Sequence, residues 1–356
     1  MKRKIDYILR FPIARVFLCA LIPMIIFGIL LAWKGNNPIN VYYTMLLSIF
    51  GSTYGIGEVI VRATPLIMTS IASILPSRVG LANAGGEGQL ACGALAAAFV
   101  GSTLITTLPR YLGIVSILFI GALFGMLWAA AALILKMKLN MNETLTTILM
   151  NYVMQYFIAS MIYGPLRDPH GYGYPQTATV PDTYRLRMLF GTRANLCFII
   201  ALILPFIIWF VIYKTRIGFY IRTIGGNQIA AKNAGINVKK YQTIMFLIAG
   251  LIAGLAGAIL VVGVEGRVKT GTGVSLGFMG FLAAGIVKNN VLLAILASFL
   301  IAIIQVMGNG RDPASGLLHD LLKAFPPHHA PGLLFGQMLF LCDHRHITGK
   351  PMEGNL

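Results

Sequence analysis

The sequence predicts an all-α, polytopic membrane protein. Hydrophobic residues make up 57% of the 356 and charged residues only 11%, far below the roughly 25% of ordinary soluble domains. Six runs contain no Asp, Glu, Lys or Arg: Val16–Trp33, Leu112–Leu135, Leu145–Ile162, Asn195–Tyr213, Thr243–Val264 and Val291–Met307. Each reaches or approaches the ~20 apolar residues that cross a bilayer core. Basic residues gather at the ends of these runs, where they set orientation and meet anionic headgroups. That distribution assigns the net charge of +17 to topology and the lipid bilayer, with no nucleic-acid partner.

The elements follow in order from the N-terminus. The arm with Lys2, Arg3, Lys4, Arg10 and Arg15 holds that end inside. The run Val16–Trp33 is too long for a secretory h-region and ends without a small-x-small cleavage site, so it reads as a retained anchor. The polar stretch 34–57 is expected outside, and a second span returns over Glu58–Leu75 to Ser77 and Arg78. A glycine-rich third span covers Asn83–Leu108, a fourth ends at Lys136 and Lys138, and a fifth leaves through Leu145–Ile162. Residues 163–194 form a long loop rich in Tyr, Pro and Gly, with Arg167, Arg185, Arg187 and Arg193 against Asp168 and Asp182. Span six returns the chain at Lys214. The segment 214–240 carries six Lys or Arg and no acid, which marks it as cytoplasmic and agrees with the span count. Thr243–Val264 crosses again, Val274–Val287 is short enough to be re-entrant or buried, and Val291–Met307 crosses once more. The expectation is eight to ten transmembrane helices with a glycine-rich broken or re-entrant element.

Two constellations carry candidate chemistry. Asn83, Glu87 and Gln89 lie in the otherwise small and apolar stretch Leu81–Gly101, and a carboxylate at membrane depth is costly unless paired or facing water. Gly85, Gly86 and Gly88 permit an unwound helix whose backbone lines a solute cavity. The same residues also fit a plain helix start near the cytoplasmic face, with Asn83 as cap and Glu87 in the first turn. On span five, Thr144, Thr147, Asn151 and Gln155 recur at helical spacing and share one face. Such a face either hydrogen-bonds a polar solute or glues helices together. Gly121-x-x-x-Gly125 and Gly250-x-x-x-Gly254, with Gly257, read as close-packing motifs.

Several functions are excluded by what the chain lacks. It has no Walker-A phosphate cradle, no HExxH and no G-x-S-x-G. Cys19, Cys92, Cys197 and Cys342 show no CxxC spacing, and the histidines between His319 and His346 fit no standard metal site.

With GLANAGGEGQLACGALAAA, NETLTTILMNY and TRIGFYIRTIGGNQIAAKNAGINVKK followed by LIAGLIAGLAGAILV, the chain resembles the permease subunits of bacterial ABC importers for nucleosides and simple sugars. The likeness covers roughly residues 1–310, the expected permease domain. It implies ATP-driven import of a small polar solute, most naturally a nucleoside or simple sugar, by a multi-pass protein of the bacterial inner membrane. The chain itself would be no enzyme and hold no cofactor: ATP and Mg would sit on a separate ABC ATPase subunit. The other implied partners are a second, non-identical permease and an extracytoplasmic substrate-binding protein. Segment 214–240 is similar to the cytoplasmic coupling segment that docks into the ATPase, so Gly225, Gly226, Asn227 and Gly235 are coupling candidates, shaping turns around a short helix. Asn83, Glu87, Gln89, Asn151 and Gln155 are the pathway candidates.

Two departures stand out. Where relatives usually read N-P-E-A-A, this chain has Asn227-Gln228-Ile229-Ala230-Ala231. After Gly310 the composition changes abruptly, and His, Pro and charge interrupt every apolar run of 311–356. This tail reads as a frameshifted or degenerate end. The alternative function is a self-sufficient secondary transporter using Glu87 as a proton or ion site. An intramembrane enzyme is less favoured, because no nucleophile–base pair is in view.

Overall fold

The structure is a computed structural model that describes residues 12–308, apart from Lys34, Asn36, 105–107, Asn140, Tyr172 and Phe190. The tail 311–356 and the basic arm before Pro12 lie outside the described residues. The described chain is a helical bundle without a named strand. Its helices are α1 Pro12–Trp33, α2 Pro38–Phe50, α3 Thr53–Ser77, α4 Gly86–Phe99, α5 Arg110–Leu139, α6 Glu143–Tyr163, α7 Cys197–Lys214, α8 Arg216–Gly226, α9 Gln228–Asn233, α10 Val238–Leu260, α11 Leu276–Ile286 and α12 Leu293–Gly308. Six of these (α1, α3, α5, α6, α7 and α10 with its extension to Glu265) are long and apolar enough to cross a membrane, and α2, α11 and α12 are shorter apolar helices. Short π segments, Val100–Leu104 and Val261–Glu265, continue α4 and α10.

Helix α3 is the axis of the bundle. Nearly all of its second half is buried, from Ala63 to Pro76, and it packs on α10, α11, α12, α7 and α2. Its Thr64, Thr69, Ser70 and Ser73 hydroxyls donate to carbonyls of their own helix, so burial leaves none of them unpaired. Beside it, α4, α5 and α10 approach backbone to backbone. A methyl group on Gly93 would strike Gly254, one on Gly125 would strike Gly254 and Gly250, and one on Gly257 would strike the Leu90 carbonyl. The small-residue motifs seen in the sequence are therefore packing surfaces, and the contact they permit is the main attraction available between helices in lipid.

The two ends of the bundle are distinct. At one end lie Ser77–Gly80, the Lys136–Glu143 ion pair, Tyr213, α8, α9 and Asn289. Val16 of α1 belongs to the same buried core cluster as Leu75 and Ile212. At the other end, Arg193 pairs with Glu58 at 3.1 Å and Arg185 with Asp182 at 3.4 Å. The positive charge of loop 163–194 is thus partly answered by Glu58, which stands at the head of α3.

Two expectations change. Stretch 34–57 is not simply a polar loop: Pro38–Phe50 is an apolar helix capped by Asn37, and Tyr42 donates a hydrogen bond to the Met24 carbonyl of α1. The glycine-rich third span begins as helix only at Gly86, and residues 81–84 are irregular.

Candidate functional site

Two interrupted helices meet inside the bundle. Helix α10 and its π extension carry the chain to Glu265 at the loop 163–194 end, where Val268 and Thr177 bond to each other. The chain then returns through Gly271 and Gly273, both at positive φ, before α11 begins. The Thr69 hydroxyl, which donates to the Pro65 carbonyl at 2.8 Å, shares its proton with the Leu276 carbonyl at 3.1 Å. Thr69 lies eight residues before the end of α3, so the N-terminus of α11 is ~12 Å in from that end of the bundle. That is membrane depth for a core of ~30 Å. Helix α4 starts at a matching place after its own irregular approach. Irregular backbone at such depth is tolerated where protein buries it or where it lines a cavity.

The two N-termini touch. A methyl group on Gly86 would make only ordinary contact with Gly277 at 3.7 Å, whereas one on Gly277 would overlap the backbone nitrogen of Glu87. Only glycine at position 277 allows this approach. Each N-terminus carries partial positive charge and unpaired N–H groups. Glu87, only 5% exposed, sits between them, and its carboxylate accepts from the Ser275 N–H at 3.0 Å. Ser275 itself holds φ +70°, a conformation rare outside glycine. Glu87 belongs to the first turn of one broken helix and stabilises the first turn of the other.

The remaining candidates surround this junction. The Asn83 carboxamide accepts from the Gly85 N–H at 3.0 Å and exchanges hydrogen bonds with the Gln89 carboxamide at 3.1 and 3.2 Å. It also donates to the Ala72 carbonyl of α3 at 3.4 Å. From α6, Asn151 accepts from the Gly88 N–H at 2.8 Å and donates to the Ala84 carbonyl at 2.9 Å. Asn83, Gln89, Thr147 and Asn151 are all buried. The structure thus places Asn83, Glu87, Gln89 and Asn151 around one junction, where Asn83 with Gln89, Glu87 and Asn151 each serve backbone groups of the broken helices. Of the two readings of Asn83, the simple cap is corrected: the N-cap of α4 is Gly85, which makes no side-chain cap bond, and Asn83 braces the loop before it.

Gln155 lies one turn beyond Asn151, on the same face of α6, and its Nε2 has no hydrogen-bond partner. Trp128 Nε1, close to Gly88, is a second unpartnered buried donor. Trp128 was not visible in the sequence as a site residue, because a lone Trp in an apolar run carries no signal. The outer face of α6 is also distinctive. It is the least apolar of the six candidate spans, yet most of it is unburied. Tyr152 and Tyr156, near the middle of α6, are 49% and 76% exposed. The equivalent exposed faces of α1 and α7 carry Ile, Leu and Phe there. Tyrosine normally sits at the membrane surface, where its hydroxyl meets water.

The basic segment 214–240 folds into α8 and α9. Thr215 caps α8, and Asn227 caps α9 by accepting from the Ile229 and Ala230 N–H groups at 2.9 and 3.0 Å. Gly235, at φ +78°, turns the chain toward α10. Gly225 and Gly226 do not form a turn: they are the last residues of α8, where Gly225 lets the helix lie against the Arg78 carbonyl and Gly226 meets nothing within 4 Å. Ile229 projects from α9, 74% exposed.

A family model described as "branched-chain amino acid transport system / permease component" matches residues 55–325. The chain belongs to this family of ABC importer permeases. The permease is 30% identical over 310 residues to the glucose ABC transporter permease protein TsgB13 of Haloferax volcanii, covering 83% of this chain and 80% of that one. It is 32% identical over 293 residues to the guanosine ABC transporter permease protein NupP of Bacillus subtilis, covering 81% and 83%. It is 29% identical over 319 residues to the nucleoside ABC transporter permease protein NupB of Lactococcus lactis, covering 85% and 87%. No solved structure matches the chain. Membership makes this a multi-pass membrane permease of an ABC importer and sets aside the self-sufficient ion- or proton-coupled carrier.

Proposed function

We propose that this permease moves a nucleoside or simple sugar across the bacterial inner membrane, with its N-terminus and segment 214–240 in the cytoplasm. The observation that carries the reading is the pair of broken helices meeting at membrane depth beneath an exposed, tyrosine-bearing face of α6. An element that is both polar and unburied in a bilayer needs water, solute or a second protein against it. In this reading a second, non-identical permease faces α6, and the solute passes between the two. Asn83, Glu87, Gln89 and Asn151 form the gate that holds the broken helices, and Gln155 has an unused donor for a solute oxygen. The named substrates of the relatives, guanosine, nucleosides and glucose, all present hydroxyls and a ring to such a surface.

The energy comes from a separate ATPase that binds ATP and Mg, and this chain performs no catalysis. The ATPase contacts α8 and α9, with Gly225, Gly226, Asn227 and Gly235 shaping the contact. A substrate-binding protein delivers solute to the opposite end, over loop 163–194. The test is uptake of labelled guanosine and of labelled glucose into cells lacking their own carriers. Uptake that needs the co-expressed ATPase and is competed by one solute class supports the reading. Equal exclusion of both solutes, in a complex that assembles and hydrolyses ATP, would refute the substrate assignment.

A further inference from the structure

The segment Arg78–Glu87 joins the axial helix α3 to the broken helix α4, and it grips α11 at both ends. At the top of α11 the Glu87 carboxylate holds the Ser275 N–H at 3.0 Å. At the bottom the Arg78 guanidinium donates to the Asn289 carbonyl at 2.6 Å. Lys288 and Asn289 both sit at positive φ, so the chain leaving α11 is bent sharply where Arg78 takes hold of it. Between the grips, Gly280 packs on Thr69 and Gly277 on Glu87, with no side chain to cushion either contact. Helix α11 has little freedom to move without this segment.

The same segment is bound from below by the coupling region. Gln228, the first residue of α9, donates from Nε2 to the Val79 carbonyl at 3.3 Å, and Gln242 at the base of α10 donates to the same carbonyl at 3.2 Å. The Arg78 carbonyl lies against Gly225 of α8, where any side chain would collide. Tyr213 adds a shared platform, stacked by Arg78 at 5.8 Å and by Arg222 of α8 at 5.6 Å. Arg222 also donates to the Tyr213 carbonyl at 3.2 Å. Two neutral amides converge on one carbonyl, each at the long end of the hydrogen-bond range.

We propose that Gln228 and Gln242 are positioning residues that couple the ATPase to the gate: movement of α8 and α9 is passed through the Val79 carbonyl to Arg78–Glu87, and from there to both ends of α11. The proposal rests on α8 and α9 being the ATPase contact. It differs from a loose hinge in predicting that the link can be cut while docking survives.

The experiment uses the whole importer, reconstituted with its ATPase and second permease in vesicles, with solute transported per ATP hydrolysed as the readout. Hydrogen exchange over residues 275–290, with and without vanadate-trapped nucleotide, is measured on the same samples. Gln228→Ala/Gln242→Leu is expected to lower transport per ATP hydrolysed about tenfold, the ratio being taken from complexes that retain the ATPase. The nucleotide-dependent change in exchange over 275–290 should disappear. Gln242→Leu alone, which lies off the docking helices, should lower the ratio several-fold, and Gln228→Lys alone, which keeps an N–H donor, should lower it far less than Gln228→Ala alone. Unchanged transport per ATP in the double variant overturns the proposal, as does an intact exchange response at α11. If the double variant fails to assemble, Gln242→Leu decides by the same two readouts. A wild-type complex that couples normally while nucleotide leaves 275–290 unaffected also overturns it. Wild-type transport with no ATPase present instead overturns the ATPase-contact reading on which the proposal stands.

Discussion

Glu87 shows how one side chain holds the site together. Its carboxylate lies where two helix N-termini meet, a place favourable for negative charge, and the glycines beside it let the backbones close around it. Gly277→Ala is expected to destabilise the permease severely, because the added methyl group overlaps the Glu87 backbone in a packed interior with nowhere to relax. Thermal denaturation in detergent, followed by size-exclusion chromatography, would show aggregation or a markedly lower midpoint. Asn151→Ala should also cost stability, since it strips partners from the buried Gly88 N–H and the Ala84 carbonyl. Each orphaned group is worth about 1–3 kcal/mol, so a denaturation midpoint within error of wild type would contradict the assigned network. The spacing of Asn151 and Gln155 was legible in the sequence as one helical face. Which backbone groups Asn151 serves was not, because Gly88 and Ala84 are more than sixty positions away.

Among elements, α4, α5 and α10 behave as one unit and α6 as an outlier. Gly254 touches both Gly93 and Gly125, so Gly254→Leu should prevent all three helices from packing and abolish accumulation of folded permease. Gly226→Ala serves as the control: nothing lies within 4 Å of that position, and expression should be unaffected. The exposed face of α6 predicts a different result. Tyr156→Leu should leave the denaturation midpoint within about 0.5 kcal/mol equivalent of wild type while changing the apparent affinity for solute several-fold. A change in stability without a change in uptake would assign Tyr156 to packing alone. Element existence was largely readable from charge-free runs. The helix Pro38–Phe50 was not, because 13 residues with scattered Asn and Tyr fall below the length that signals a span.

For the whole molecule, the two ends have separate chemistry. Lys232 on α9 and Arg187 in the long loop are both exposed, and they belong to opposite ends of the bundle. Lys232→Cys and Arg187→Cys, in a background with the native cysteines removed, should react with a membrane-impermeant maleimide from opposite sides. Intact cells should label only the Arg187 position and inverted vesicles only the Lys232 position. The reverse pattern would invert the orientation proposed for the permease. The Arg193–Glu58 pair answers part of the charge of a loop with four arginines, with an acid from the head of the axial helix.

The sequence by itself determined the medium, the helical class and the resemblance to a permease family. These depend on run length, charge placement and local motifs, and all of that information lies within a few dozen residues. Only the tertiary structure decided that α4 and α11 meet head to head, that Glu87 serves Ser275, and that Gln228 and Gln242 share the Val79 carbonyl. Those contacts join residues that are 188, 149 and 163 positions apart. A hydrogen bond is set by position in space, and in a bundle that position follows from how glycine surfaces let the helices close on one another.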